Sequence, residues 1–135
     1  MLTYSDIVYV GLTAGELELA RRMAVAAEIG GKSNFRGSER KLLLSIDQFI
    51  GVGIGELAGN KYFFDVAHYE ENRNFRNENP AAGDGGSDIL GCRVDLKTSA
   101  VKHSNLLEFN LVVRPNERHP DTVYVLILVK TDGID

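Results

Sequence analysis

Residues 83–99 read GDGGSDILGCRVDLKTS, and the fold turns on how this stretch is read. From Cys92 to Thr98 polar and apolar residues alternate as in a strand. Arg93, Asp95, Lys97 and Ser99 then share one face, and Cys92, Val94, Leu96 and Thr98 share the core face. Leu90-Gly91 reads as a two-residue turn, which sets Ile89 opposite Cys92 and Asp88 opposite Arg93. Asp88 is then diagonal to Asp95, about 7 to 8 Å away between backbones, near enough for two carboxylates to hold one divalent cation. The inference depends on register, because an odd-length loop would turn Asp88 to the other face.

Working outward, Ser87 to Leu90 reads as the strand before the turn, and period-two or short apolar runs predict further strands at Tyr62 to Tyr69, Leu106 to Val113 and Thr122 to Lys130. Val123 to Val129 is apolar on both faces, so it is expected at the centre of the sheet, covered on both sides. Residues 70–86, EENRNFRNENPAAGDGG, lack apolar periodicity and read as a long loop. Upstream, Leu17, Leu19, Ala20, Met23, Ala24 and Ala27 recur at helical spacing, predicting a helix from Ala14 to Ile29 that Gly30 and Gly31 stop. A second helix is expected from the N-cap candidate Ser38 to near Lys61, with the stripe Leu42, Leu43, Ile46, Phe49, Ile50, Ile54 and Leu57. Gly51, Gly53, Gly55 and Gly59 interrupt it, each at up to about 1 kcal/mol relative to alanine. Either they let the helix lie close to a sheet, or they bring Glu56 and its backbone near a ligand. Two helices followed by a mostly antiparallel run of strands predict an α+β or mixed α/β fold with helices covering a sheet.

Two carboxylates and a lysine on one strand face suit metal-assisted phosphodiester hydrolysis. Asp88 and Asp95 offer hard oxygen ligands for Mg²⁺, and Lys97 can orient a water or offset transition-state charge. Asp88, a short hairpin and then Asp95-Leu96-Lys97 resemble the PD-(D/E)XK nuclease superfamily, with Gly55-Glu56-Leu57-Ala58 similar to the helical Gly-Glu-x-Ala of many members. The resemblance spans roughly residues 40–130. It implies a restriction-endonuclease-like core, a mixed central sheet flanked by helices, with residues 38–130 as the catalytic core and residues 1–37 as a helical extension of one domain. By the same resemblance Glu56, Asp88 and Asp95 are metal ligands, Lys97 is the catalytic base, and Mg²⁺ is the ion, with Mn²⁺ as substitute. Ser87 stands where the family has its proline, and residues 105–113 read as a strand where the family has a helix.

Lesser candidates surround this set. Asp84 competes with Asp88 but sits in a Gly-rich turn that favours Asp for backbone reasons. His68 and His103 lie on or beside predicted strands. Ser99 shares the face of Lys97 and can touch a phosphate. Arg73 and Arg76, with Phe75 between, form a small basic patch suited to strand contact and base stacking; Arg36, Arg40, Lys41 and Lys102 are further phosphate contacts.

The chain has 135 residues, 44% hydrophobic and 25% charged, which fits one globular domain and excludes collagen-like and disordered classes. Cys92 is the only cysteine, no apolar run approaches a membrane span, and the N-terminal stretch has Asp6 but no Lys or Arg. The expectation is a soluble cytoplasmic protein without membrane contact. Nineteen acidic against fifteen basic residues give a net charge of −4, which argues against nucleic acid as partner. If Glu56, Asp88 and Asp95 belong to a metal site, sixteen acids face fifteen bases elsewhere and the objection weakens. The expected function is a Mg²⁺-dependent endonuclease acting on DNA rather than RNA, with a two-fold dimer or larger homo-oligomer if both strands are cut. The alternative is a catalytically inactive nucleic-acid-binding or assembly module of the same fold.

Overall fold

A computed structural model describes residues 3–34, 48–78, 88–101, 113 and 115–130. Helix α1 (Ala14–Asn34) starts at a reciprocal cap: the Glu16 N–H donates to Thr13 Oγ1 at 3.1 Å, and the Thr13 N–H donates to Glu16 Oε1 at 2.8 Å. The helix passes through Gly30 and Gly31, so the predicted stop is corrected: two glycines weaken a helix without ending it. A π-helical segment (Phe49–Gly55) leads directly into α2 (Glu56–Phe63). The Glu56 N–H reaches back to the Gly51 carbonyl, the wide hydrogen bond of a π turn. The predicted start at Ser38 lies outside the described residues.

Asp65 then caps α3 (Val66–Glu78), accepting from the His68 N–H at 2.8 Å. The end of α2 and this helix replace two expectations, the strand at Tyr62 to Tyr69 and the first part of the loop at 70–86. The aromatics that suggested a strand, Tyr62, Phe63 and Phe64, are exposed, while the buried residues Tyr69, Asn72 and Arg73 recur at helical spacing. Polar residues in the buried stripe hid the helix from an apolar-periodicity reading.

Strands β1 (Val94–Val101) and β2 (Val123–Lys130) pair in parallel, with Asp95 opposite Tyr124 and Lys97 opposite Leu126. The expected antiparallel sheet is corrected here: β1 and β2 run in the same direction, an arrangement that a short hairpin cannot join. Most of the predicted strand Leu106 to Val113 lies outside the described residues. Ser87 to Leu90 does not form a strand over its described part; instead Ile89 and Cys92 make one antiparallel bridge across Leu90-Gly91, the predicted turn, with Gly91 at φ 82°. β2 is half-buried along its middle, and only Val129 is fully buried, so the described sheet does not cover it on both sides as expected.

Leu19 and Ala20 of α1, Ile50 and Ile54 of the π segment, Leu57 of α2, Tyr69 of α3 and Val129 of β2 form one buried cluster. The glycines set how closely these elements pack. A Cβ on Gly59 would stand 2.6 Å from Leu96 Cδ1, and one on Gly55 would collide with the Thr98 side chain. The helical segment thus lies directly on β1 and holds Glu56 against the sheet. The fold is a mixture of helix and strand, and no helix among the described residues is long and apolar enough to cross a membrane.

Candidate functional site

Leu96 and Thr98 face the glycines of the helical segment, so strand alternation turns Asp95, Lys97 and Ser99 to the opposite face of β1. There the Lys97 ammonium pairs with the Asp95 carboxylate, Nζ to Oδ2 at 3.3 Å, with both side chains partly exposed. Ser99 is half-buried two residues further on. Lys102 and His103, like Asp84 and Arg36, Arg40 and Lys41, lie outside the described residues.

Asp88 stands at the edge of β1. Its N–H donates to the Val94 carbonyl at 2.8 Å, and its Oδ2 accepts from the Leu96 N–H at 2.7 Å. The C=O of residue 94 and the N–H of residue 96 point to the same edge of a strand, so one residue satisfies both positions that a neighbouring strand would otherwise fill. The expected pairing of Asp88 with Arg93 is replaced by this tighter arrangement. The Asp88 carbonyl in turn accepts from Asn72 Nδ2 at 2.9 Å and from Asn60 Nδ2 at 3.3 Å. Backbone and side chain together fix this carboxylate level with the middle of Asp95-Leu96-Lys97.

Glu56 enters from α2 and is 6% exposed. Its Oε1 and Asp88 Oδ1 both reach Arg76 Nη1, at 3.1 and 3.2 Å. Its Oε2 lies 2.9 Å from Arg73 Nε, an ion pair whose angle is too bent for a hydrogen bond. Two carboxylates therefore meet two guanidiniums in a largely buried hub. Burial pushes the Glu56 carboxyl up to about 7; Arg73 and Arg76 pull it down, and the Asp88 charge adds to the rise. Burial also lowers the pKa of Arg73 against the pull of Glu56, and raises that of Tyr69 with help from the same carboxylate. Arg73 Nη2 and Asn60 Oδ1 are buried and have no hydrogen-bond partner among the described residues. An open cleft of about 370 Å³ reaches Glu56 and Asp88 of the hub, lined also by Gln48, Gly51, Val52, Leu96 and Thr98.

The four candidate residues thus fall into two pairs, Glu56 with Asp88 and Asp95 with Lys97, joined by the Asp88–Leu96 hydrogen bond. Among the described residues no three Asp, Glu, His or Cys side chains gather as a metal cage. Mg²⁺ does not require one, since it commonly takes one or two carboxylates and keeps water or phosphate oxygens on its remaining positions. Here the Arg76 guanidinium takes up one oxygen of each acid, through Nη1 at 3.1 Å from Glu56 Oε1 and 3.2 Å from Asp88 Oδ1.

Arg73 and Arg76, expected on a loop, sit on α3 and turn inward, with Arg73 only 3% exposed. His68 meets the Leu90 carbonyl through Nε2 at 2.7 Å and stacks on Phe64, which ties α3 to the hairpin that follows Asp88. The sequence reading missed Asn60 and Asn72, which hold the Asp88 carbonyl. Asn60 follows Glu56 by four residues on the same helix, a spacing that places both on one face; nothing comparable marked Asn72. Comparison of the chain with models of protein families, with curated proteins and with solved structures found no match in any of the three.

Proposed function

We propose that the chain is a metal-dependent nuclease hydrolysing phosphodiester bonds, of DNA rather than RNA, built on a restriction-endonuclease-like core. One observation carries the reading: the Asp88 carboxylate is bound to the backbone of the central residue of Asp95-Leu96-Lys97 while sharing a counter-cation with Glu56 of the preceding helix. Glu56 and Asp88 thereby come together, and Asp88 is joined through the Leu96 N–H to the strand whose other face carries Asp95 and Lys97. The parallel pairing of β1 and β2 adds support, because it requires the crossover that such a core has after its Asp-x-Lys strand.

In this reading Glu56 and Asp88 would hold Mg²⁺ or Mn²⁺ on the helix side of β1, while Asp95 stands on the other face of the strand beside Lys97. A bound ion supplies polarisation of the scissile phosphate and a water of lowered pKa. Asp95 holds the Lys97 ammonium at 3.3 Å, and Lys97 would offset charge on a phosphate that reaches that face of β1. Ser99 shares the face of Lys97 and offers a hydroxyl to a phosphate oxygen. Arg73, locked inside the hub, supports Glu56 rather than touching substrate.

The pairing of both acids with arginine favours a second reading, an inactive nucleic-acid-binding or assembly module. Incubation with single-stranded, double-stranded and branched DNA, and with RNA, in Mg²⁺ or Mn²⁺ separates the two. The nuclease reading expects cleavage that chelation by EDTA stops and that Asp95→Ala abolishes. Binding of nucleic acid without cleavage in either ion would establish the second reading instead.

A further inference from the structure

The main-chain carbonyl of Asp88 accepts two side-chain amides from two different helices, Asn72 Nδ2 of α3 at 2.9 Å and Asn60 Nδ2 of α2 at 3.3 Å. Both asparagines are buried, Asn60 completely. Asn60 Nδ2 also donates to the Glu56 carbonyl at 2.8 Å, so one amide touches the main chain of both acids of the hub. Its Oδ1 is buried without a hydrogen-bond partner among the described residues, a loss of stability that an apolar side chain of similar size would avoid. We propose that Asn72 and Asn60 are positioning residues: they clamp the Asp88 peptide to α3 and α2 and so fix where the Asp88 carboxylate stands against the cleft. This rests on the reading of Asp88 as a residue of the active site.

Anchoring of the hairpin and orientation of Asp88 are served by different groups. Ile89 is fully buried, its carbonyl accepts from the Cys92 N–H at 3.0 Å, and the Asp88 N–H donates to the Val94 carbonyl at 2.8 Å. These hold the hairpin to the core and to β1 without either asparagine. They leave the Asp88 carbonyl to be placed, because the planar peptide joining residues 88 and 89 can turn about the single bonds on either side of it. Two donors from the helices set that peptide. With its N–H bonded to Val94 and its C=O bonded to the clamp, Asp88 has one direction for its side chain, which carries Oδ2 to the Leu96 N–H at 2.7 Å. The Asn60 bond is the longer of the two and its amide is shared with Glu56, so Asn72 carries most of the restraint.

The test compares wild type with Asn72→Ala in the full chain, for cleavage of double-stranded DNA in Mg²⁺ and for hydrogen exchange at the Leu96 amide. Asn72→Ala is expected to lower kcat about 10²-fold with KM unchanged, since a misplaced group acts on the chemical step and not on binding. The Leu96 amide reports the Asp88 carboxylate, and it is expected to exchange at least about tenfold faster relative to the β2 amides that pair with β1. A structural role alone would speed all of these amides together and leave kcat in place. That result, or a Leu96 amide as protected as in wild type, overturns the proposal and leaves the nuclease reading standing. If wild type cleaves no DNA, the nuclease reading falls, and exchange at Leu96 decides by itself whether the clamp places Asp88. Should Asn72→Ala fail to fold, the Asn72 side-chain amide of wild type carries the test. Protons that exchange slowly uphold the clamp, and protons that exchange as fast as those of an exposed asparagine overturn it.

Discussion

The two sides of strand β1 treat charge in opposite ways. On the face turned away from the helical glycines, Asp95 and Lys97 form a partly exposed ion pair two residues apart. On the helix side and at the strand edge, Glu56, Asp88, Arg73 and Arg76 form a hub in which nearly every oxygen is committed and burial drives the Glu56 carboxyl up to about 7. The first arrangement keeps both of its groups in partial contact with water. The second withdraws charge from water and must keep it compensated. Catalytic and structural demands are therefore expected to separate between the two, and substitution can test whether they do.

The largest effect is expected on the face that carries Asp95 and Lys97, which is partly exposed. Asp95→Ala and Lys97→Ala should each lower Mg²⁺-dependent cleavage of DNA by at least about 10³-fold, while thermal or urea denaturation moves by no more than about 0.5 kcal/mol. Full cleavage by either variant would end the nuclease assignment. An equal loss of stability would show that the two faces are not separable.

The hub should respond in the reverse sense. Arg73→Ala leaves Glu56 buried with half of its compensation and is expected to destabilise the fold by about 3 to 5 kcal/mol in urea denaturation. The exposed Glu18–Arg21 pair on α1 provides the control. Its side chains are 55% and 60% exposed for Arg21 and Glu18, and Arg21→Ala should leave the urea midpoint close to that of wild type. Similar costs at both sites would mean that the hub is more hydrated than its burial implies.

Next in size is a dependence on pH. The Glu56 carboxyl is raised from 4.5 to about 7, so between those values the native state holds a proton that the unfolded chain has lost. Stability contributed by this group is present below about 4.5 and lost as pH rises through about 7, a change of about 3 kcal/mol. Urea denaturation without divalent ions, at pH 5 and pH 7.5, should show wild type losing more stability across the interval than Glu56→Gln. Equal changes in the two proteins would place the Glu56 carboxyl near its ordinary range.

Sequence made some of this legible and concealed the rest for identifiable reasons. The turn at Leu90-Gly91, strand β2 and the alternation of β1 follow from period two and turn chemistry, which act locally. The acids Glu56 and Asp88 were recognisable through their motifs, and the structure places them together. Helix α3 was not legible, because its buried stripe is Tyr69, Asn72 and Arg73, residues whose burial depends on partners distant in sequence. The same dependence concealed the hub: an arginine on a polar stretch looks solvated until the carboxylate it meets is in place. Thr13-x-x-Glu16 is a capping signal that apolar spacing alone passed over.

The smallest expected effects lie in the glycines that connect the two sides. Gly59 lies against Leu96 Cδ1 and Ile127 Cδ1, at 2.6 and 3.2 Å from where a Cβ would stand, and Gly55 lies against the Cβ of Thr98. The Leu96 terminus can rotate aside, but Thr98 is β-branched and stiff, so Gly55→Ala must push β1 from the helix. A cost of about 1 to 3 kcal/mol is expected there, and less for Gly59→Ala. A Cβ on Gly51 would meet nothing within 4 Å, and Gly51→Ala should gain up to about 1 kcal/mol from helix propensity. Because Leu96 carries the N–H that holds Asp88, moving β1 also disturbs the join between the two pairs of site residues. Gly55→Ala should therefore lower cleavage as well as stability, whereas Gly51→Ala, which adds a methyl at the cleft lining without moving β1, should lower cleavage less. Loss of cleavage in Gly51→Ala would instead make the open face of the π segment part of the substrate surface.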